Sequence, residues 1–314
     1  AEPVGRSAAL RALREQVRRA APHDTAVLMA GESGSGKQTF ARYLHRHSHR
    51  AAGPFVLFRV TAGDDDEAMN TLFGNEEGSA IHYGALEQAN GGTLYIDDVA
   101  DMSAALQSRM LSAIQYRRFL RVGGHDQVDV NVRIVAATHH DLAQRVASGE
   151  FREDLYYHLN VLPITVPPLR EHHEDVPELL EFYVNQFVER DNLKYRHFSV
   201  AAQNRLRNYA WPGNVRELIN LVQRLLILGG EDEIGQDEVE QTLGTQVIAA
   251  AKPGVLPGFD LPLREARELF ERTYLEHQLD MANGNVSQVA KPVGMERTHL
   301  YRKLRALGIA PRRK

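Results

Sequence analysis

Apolar residues recur at helical spacing over residues 7–20 (SAALRALREQVRRA), with Ser7 placed to cap the first turn. The pattern then changes to a short unbroken apolar run, TAVLMA at 25–30, stopped by Gly31. Similar runs follow in FVLFRV (55–60), GTLYID (92–97) and VRIVAAT (132–138), while helical spacing returns in FARYLHRHS (40–48) and AALQSRMLSAIQ (104–115). Buried strands alternating with helices predict a parallel α/β sheet. The segment VLPITVPPLR (161–170) carries Pro163, Pro167 and Pro168 and is expected to end this layer. From Val176 to about Leu243 the pattern is helical, broken at WPGN (211–214), which predicts a smaller helical domain. Residues 244–262 hold three glycines and three prolines without periodicity and read as a linker, after which residues 263–309 are helical again.

Composition narrows the class. Of the 314 residues, 43% are hydrophobic and 25% charged, a globular balance, and no apolar run reaches the ~18 residues of a membrane helix. There is no cysteine, which excludes disulfides and thiolate metal sites and suits a cytoplasmic protein without a membrane partner. The start at Ala1-Glu2-Pro3, with neither Met nor a signal peptide, suggests a fragment. The net charge of −4 conceals a basic end: residues 291–314 carry eight Lys/Arg against one acid, Glu296. A confined basic segment points to nucleic acid, although a solvated tail gives the same count.

The chemistry-bearing stretches begin with GESGSGKQ (31–38), between a predicted strand and a helix. It fits Gly-x4-Gly-Lys, in which glycines let backbone N–H groups converge on phosphates and the lysine, Lys37, reaches the terminal ones. Gly34, Ser35, Gly36, Lys37, Gln38 and Thr39 are therefore candidate nucleotide contacts. Gln38 stands where Ser or Thr is usual, so Thr39 becomes the candidate magnesium ligand from the loop. TLYIDD (93–98) supplies acids at the end of a strand: Asp97 suits a magnesium ion held through water and Asp98 the polarisation of an attacking water. Thr138, at the end of another strand, is a candidate γ-phosphate sensor. Arg152 in FREDLYYHLN is a candidate arginine finger for a neighbouring subunit, and Arg216 can reach the nucleotide from the helical domain. For an isolated arginine, a surface ion pair is the simpler account. His45, His47 and His49 lie two apart, which does not bring them to one helix face, so a solvated surface is expected there, not a metal site.

The end of the chain, NGNVSQVAKPVGMERTHLYRKLRALGI (283–309), reads as a helix, a turn at Gly294 and a second helix from about Glu296. That second helix carries Arg297, Thr298, His299, Arg302, Lys303 and Arg305, with Leu300, Leu304 and Leu307 as its apolar stripe. It fits the major groove of double-stranded DNA, with an ordinary helical hairpin as the alternative.

The order GESGSGK, LFG, GGTLYIDD, VRIVAAT, FREDLYYHLN, PPLR, WPGNVREL resembles the AAA+ domain of the bacterial enhancer-binding proteins, ATPases that remodel sigma-54 RNA polymerase. The end is similar to their Fis-type DNA-binding domain, and within the family the NtrX-type response regulators look closest. The resemblance implies an AAA+ P-loop parallel sheet over residues 1–170, a helical lid subdomain over 171–243, the linker, and an all-α Fis-type helix-turn-helix domain over 263–314, paired through the helix at 263–278. It implies ATP or ADP with Mg2+, Val4 and Gly5 near the adenine, and assembly with itself as a dimer or higher AAA+ oligomer. It also implies a receiver domain ahead of residue 1 that takes a phosphoryl group from a cognate histidine kinase, and RNA polymerase as a further partner.

Departures from the family pattern change the expectation. Asp98 stands where the family has glutamate, Arg59 at the position of a switch asparagine, His158 at that of a second arginine, and His139 at that of a sensor asparagine. Pro292 falls in the first helix of the helix-turn-helix. In the family a "GAFTGA" segment follows LFGxExG and grips sigma-54; here Gly78 is followed by SAIHY and then Gly84, leaving a shorter loop. These features predict a DNA-binding regulator of a two-component system that binds ATP with weak or no hydrolysis and does not remodel sigma-54 polymerase. A competent sigma-54 activator is the alternative, and an unrelated P-loop enzyme with an incidental basic tail is a third, disfavoured by the helix-turn-helix.

Overall fold

The computed structural model describes residues 2–61 and 63–250, the last six by backbone alone, and residues 271, 274, 275, 279, 286–293, 295, 297–307 and 309, several of these also by backbone alone. The chain forms two compact units, Ala1–Leu243 and Gly244–Lys314.

In the first unit, five parallel strands run in the order β2-β5-β8-β1-β9. They are β1 (Val27–Ala30), β2 (Phe55–Arg59), β5 (Thr93–Asp97), β8 (Arg133–Thr138) and β9 (Leu162–Thr165). Between them lie two antiparallel hairpins, β3 (Gly74–Glu77) with β4 (Ala80–Tyr83), and β6 (Arg118–Leu120) with β7 (Gln127–Asp129). Successive side chains of a strand face opposite sides, and the core divides accordingly. Leu28, Leu94, Ile96, Ile134 and Ala136 face one layer, which includes α3 (Asp65–Phe73), α4 (Ala85–Gln88), α5 (Ala104–Tyr116), α6 (Leu142–Ala147) and α7 (Glu153–Leu159). Val27, Met29, Tyr95, Val135 and Ala137 face the other, formed by α1 (Ala8–Ala20) and α2 (Lys37–Arg46). Ser7 caps α1 as the sequence predicts, its side chain accepting from the N–H of Leu10.

Two sequence-based expectations are corrected. VLPITVPPLR does not end the sheet: β9 pairs with β1, and Pro163 is tolerated because β9 is an edge strand. The shorter loop in LFGNEEGSAIHYG takes the form of the β3–β4 hairpin. His45 is not solvated: it is 6% exposed and its Nδ1 lies 2.9 Å from the Thr93 hydroxyl. His47 and His49 are exposed, and no group of three or more acidic or histidine side chains among the described residues could hold a metal ion.

The helical lid packs α8 (Val176–Asp191), α9 (Val200–Arg207) and α10 (Asn214–Leu228) around Trp211, whose indole N–H donates to the Leu206 carbonyl. Two short parallel strands, β10 (His197–Phe198) and β11 (Glu233–Ile234), close it. Helix α11 (Gln236–Ala250) runs past residue 243 into the segment read as linker, and residues 251–262 lie outside the described residues.

The second unit has its own core of Leu275, Leu279, Val286, Val289, Leu300 and Leu304. Helices α12 (Val286–Val293) and α13 (Arg297–Ala306) form the expected pair; Gly294 and Glu296 are outside the described residues, as is most of the helix expected over 263–278. Pro292 falls in the last turn of α12, where the helix ends. No helix among the described residues is long and apolar enough to cross a membrane.

Candidate functional site

The C-terminal ends of parallel strands are where an open α/β sheet places its ligand site. Here β1 runs into the glycine loop and α2, and β8 stands between β1 and β5. The loop and the two aspartates therefore lie on the same edge of the sheet. A cavity of about 290 Å³ opens there, lined by Gly34, Gly36, Lys37, Gln38, Thr39, Arg59, Tyr95, Asp97, Asp98 and, from the lid, Tyr183, Ile219, Asn220 and Arg216.

The loop is built for close approach. Gly34 and Gly36 have φ of 76° and 100°, and α2 begins at Lys37 with no side chain capping it, leaving its first N–H groups without intrahelical partners. Ser35 is 4% exposed and its Oγ has no hydrogen-bond partner among the described residues. Lys37 folds back, donating from Nζ to the carbonyls of Gly31 at 2.7 Å and Glu32 at 2.9 Å; burial holds its pKa below the ordinary lysine value, opposed by Asp97 and Asp98. Anionic groups can be received by such a helix N-terminus and lysine.

The lid rides directly on the loop. Asn214, at φ 53°, accepts the Leu169 N–H through Oδ1 at 2.9 Å and donates from Nδ2 to Glu32 at 3.0 Å and to the Ser33 carbonyl at 3.1 Å. Arg170 donates to both oxygens of Glu32 at 2.6 and 2.8 Å, and these bonds, with that of Asn214, lower the Glu32 carboxyl to about 2. Arg216 reaches Ser33 Oγ at 2.8 Å. The sequence pointed to Arg216 but not to Asn214, Arg170 or Glu32; the asparagine in WPGN was a visible turn signal, and its role depends on the fold.

The acids are both engaged. Asp97 Oδ2 accepts from Arg59 Nη2 at 3.0 Å and Nε at 3.2 Å, and its Oδ1 accepts from the buried Tyr95 hydroxyl at 3.3 Å. Burial, foremost, and the neighbouring Asp97 raise the Tyr95 pKa, keeping it a donor. Asp98 sits at φ 56°, a left-handed conformation that turns the chain after β5, and its Oδ1 lies 2.9 Å from His139 Nδ1. Thr138 is 1% exposed, and its hydroxyl donates to the His140 carbonyl and accepts from the His140 N–H, while the neighbouring His139 reaches Asp98. Among the expected magnesium ligands, Asp97 has both oxygens hydrogen-bonded to Arg59 and Tyr95, Gln38 offers a neutral amide, and Thr39 is exposed at the cavity, so as arranged they present no free carboxylate oxygen to a resident Mg2+.

Other candidates lie apart from the cavity. Arg152, at the N-terminus of α7, donates to both oxygens of Asp154 at 2.9 and 2.8 Å and to Ser108 Oγ at 3.1 Å. His158 faces Gln115. Val4 packs against the lid core, and Gly5 abuts Leu10 and the lid's Asp175, where a Cβ would collide. Asp175, 2% exposed, accepts the N–H groups of Arg6 and Ser7 at 2.7 and 2.8 Å and faces His172 Nδ1 at 3.1 Å, a fastening that nothing in the sequence announced.

The β3–β4 hairpin has four-residue strands and a two-residue tip, Gly78-Ser79. It is held from behind by Arg121, 10% exposed, which donates to Glu76 at 2.7 Å and to Glu87 at 2.6 and 3.0 Å, while the Glu76 N–H donates to the Val122 carbonyl. In the second unit, His299 and Arg302 are exposed on α13, whereas Lys303 is half-buried and paired with Glu271 at 2.7 Å. The side chains of Arg297, Thr298 and Arg305 are outside the described residues.

Comparison with known proteins adds to this geometry. The family model of the sigma-54 interaction domain matches residues 4–165, that of the AAA+ ATPase lid domain residues 170–253, and that of the bacterial regulatory protein Fis family residues 266–307. The nitrogen assimilation regulatory protein NtrX of Azorhizobium caulinodans is 44% identical over 98% of this chain and 69% of its own length. The transcriptional regulatory protein ZraR of Klebsiella oxytoca is 38% identical over 96% of this chain and 68% of its own. Among solved structures, NtrX from Brucella abortus in complex with ATP is 40% identical, covers 98% of this chain and 70% of that one, and superposes with a TM-score of 0.73.

Proposed function

The chain belongs to the sigma-54 interaction-domain family of bacterial transcriptional regulators, and from that premise we propose that it is a DNA-binding regulator whose pocket takes ATP or ADP and which does not remodel sigma-54 polymerase. The division of work follows the two units. Residues 1–243 hold nucleotide, with Gly34, Ser35, Gly36, Lys37, Gln38 and Thr39 around the phosphates and Arg216 over them; Val4 and Gly5, which line no part of the cavity, are assigned to the adenine by the family resemblance alone. Residues 263–314 read duplex DNA as a dimer, with His299 and Arg302 on the exposed side of α13. NtrX of Brucella abortus has been crystallised with ATP and with ADP, which supports the nucleotide assignment here.

The observation that carries the non-remodelling proposal is the hairpin. A segment that grips a client must project, and each extended residue adds only about 3.3–3.6 Å of reach. Strands of four residues joined by two, held at Glu76 by Arg121, do not form such an arm. Weak hydrolysis agrees with it, because Asp97 is paired with Arg59 and Asp98 with His139. Arg152 would serve as a finger only in an assembly, and self-association around nucleotide is the use of ATP that remains. Regulation through a histidine kinase and contact with RNA polymerase follow from the family alone.

A second proposal, an active remodeller, draws on Ile81 and Tyr83, which are 48% and 60% exposed on β4 and offer substitute apolar anchors. In vitro transcription with sigma-54 holoenzyme on a closed promoter complex separates the two. The expected outcome is DNA binding without open-complex formation. Open complexes that depend on this protein and ATP would overturn the first proposal in favour of the second.

A further inference from the structure

Two carboxylates at the end of a strand beside a phosphate loop ordinarily serve a divalent ion. In this chain the pocket carries its own cation at that place. Arg59 ends β2 and is the register partner of Asp97 across the parallel ladder, so its side chain needs only to lean along the sheet edge to reach the carboxylate. It does so with two nitrogens on Oδ2, at 3.0 and 3.2 Å, while Nη1 makes no hydrogen bond among the described residues. Mg2+ requires near-octahedral oxygens at about 2.0–2.1 Å. To join such a shell Asp97 would have to share oxygens that already accept from the Arg59 guanidinium and the Tyr95 hydroxyl.

The charges agree. Lys37, Arg59 and Arg216 line the cavity against Asp97 and Asp98, so the lining is cationic before any ion enters. A guanidinium is always charged, and its planar fork matches phosphate as well as carboxylate. The Arg59 side chain is 56% exposed while that of Asp97 is 13% exposed, so the free edge of the guanidinium faces the open cavity.

We infer that this pocket binds nucleoside di- and triphosphates without a divalent ion, with Arg59 supplying at Asp97 the positive charge that a metal would supply. This rests on the nucleotide-binding proposal above. The test is calorimetric titration of ATP and of ADP into the protein, in buffer with MgCl2 and in buffer with EDTA, for the unmodified chain, Arg59→Gln and Arg59→Lys. For the unmodified chain the affinities in the two media should agree within about threefold. Arg59→Gln should lose about tenfold or more in EDTA and recover with Mg2+, and Arg59→Lys, which keeps the charge without the fork, should fall between. The unmodified chain losing about tenfold or more in EDTA overturns the inference. So does Arg59→Gln binding in EDTA as the unmodified chain does. Binding confined to the Mg2+ medium overturns the inference and leaves the nucleotide assignment standing, whereas binding in neither medium removes both.

Discussion

The backbone N–H of Arg216 donates to the carbonyl oxygen of Gly34 at 3.2 Å, so the phosphate loop and α10 of the lid are joined backbone to backbone. A Cβ on Gly34 would stand 2.9 Å from the Cβ of Arg216 and nearer still to the Gly213 carbonyl, at a φ of 76° that disfavours any L side chain. Gly34→Ala should therefore separate loop from lid. We expect a loss of roughly 2–4 kcal/mol in stability and of measurable nucleotide binding. Gly36→Ala, with φ of 100° but open space around it, should cost only the backbone term of about 1–2 kcal/mol. Denaturant melts of the two variants check the order; equal losses would mean that the contact with the lid contributes nothing.

Lys37→Ala removes the one lysine of the cavity, whose Nζ now holds the Gly31 and Glu32 carbonyls. ATP affinity should drop by a factor of about 100 or more, since a charge-assisted contact to phosphate from a lysine only 7% exposed is lost. Calorimetry showing unchanged affinity would remove the phosphate assignment.

His172 gives the lid fastening a pH dependence. Burial holds its pKa below the ordinary 6.5, against the pull of Asp175, so the folded chain keeps it neutral at a pH where the unfolded chain has begun to protonate. The unfolded state then binds more protons, and stability falls as pH drops from about 6.5 through the folded value, with no contribution from this group above that window. His45, also lowered by burial, acts in the same direction. His172→Asn, which keeps a donor for Asp175 but cannot titrate, should flatten the slope without abolishing it. Denaturation midpoints at about pH 7.5 and about pH 5.5 provide the comparison.

The two basic residues on α13 should behave differently. Arg302 is exposed, and Arg302→Ala should weaken DNA binding across sequences and reduce the salt slope by about one unit. Lys303 is engaged with Glu271, so Lys303→Ala should loosen the second unit more than it changes the slope. Equal slope changes in the two variants would show that the Lys303–Glu271 pair opens on DNA.

Arg121→Ala should leave the carboxylates of Glu76 and Glu87, about four-fifths buried, without their partner. A stability loss on the order of 2–3 kcal/mol is expected, with faster amide exchange over residues 74–83. Unchanged exchange there would mean that the ladder alone fixes the hairpin.

How much of this was legible in the sequence depends on what each element displays. Strands β1, β5 and β8 are buried on both faces, so they read as unbroken apolar runs. β9 escaped because Pro163 and its neighbours mimic a terminator, and its edge position in the sheet cannot be seen locally. The β3–β4 hairpin escaped because β4 is exposed throughout and shows no alternation. At the site, the glycine loop and Asp97-Asp98 have spacings that state their chemistry, whereas Arg59 showed only as a substitution. That it meets Asp97 follows from the β2–β5 register, a relation between residues 38 apart in the chain. Thr138 does end β8 as the sequence pattern suggests, but the turn of its hydroxyl into its own loop is not visible locally.

The two-residue tip of the β3–β4 hairpin has a modular consequence. Because Gly78-Ser79 only closes the ladder, and a Cβ on Gly78 would meet nothing within 4 Å, the scaffold keeps an empty socket where a longer arm could be grafted. Loop closure becomes only about 0.6 kcal/mol more costly for each doubling of length, so inserting six residues there would cost on the order of 1 kcal/mol.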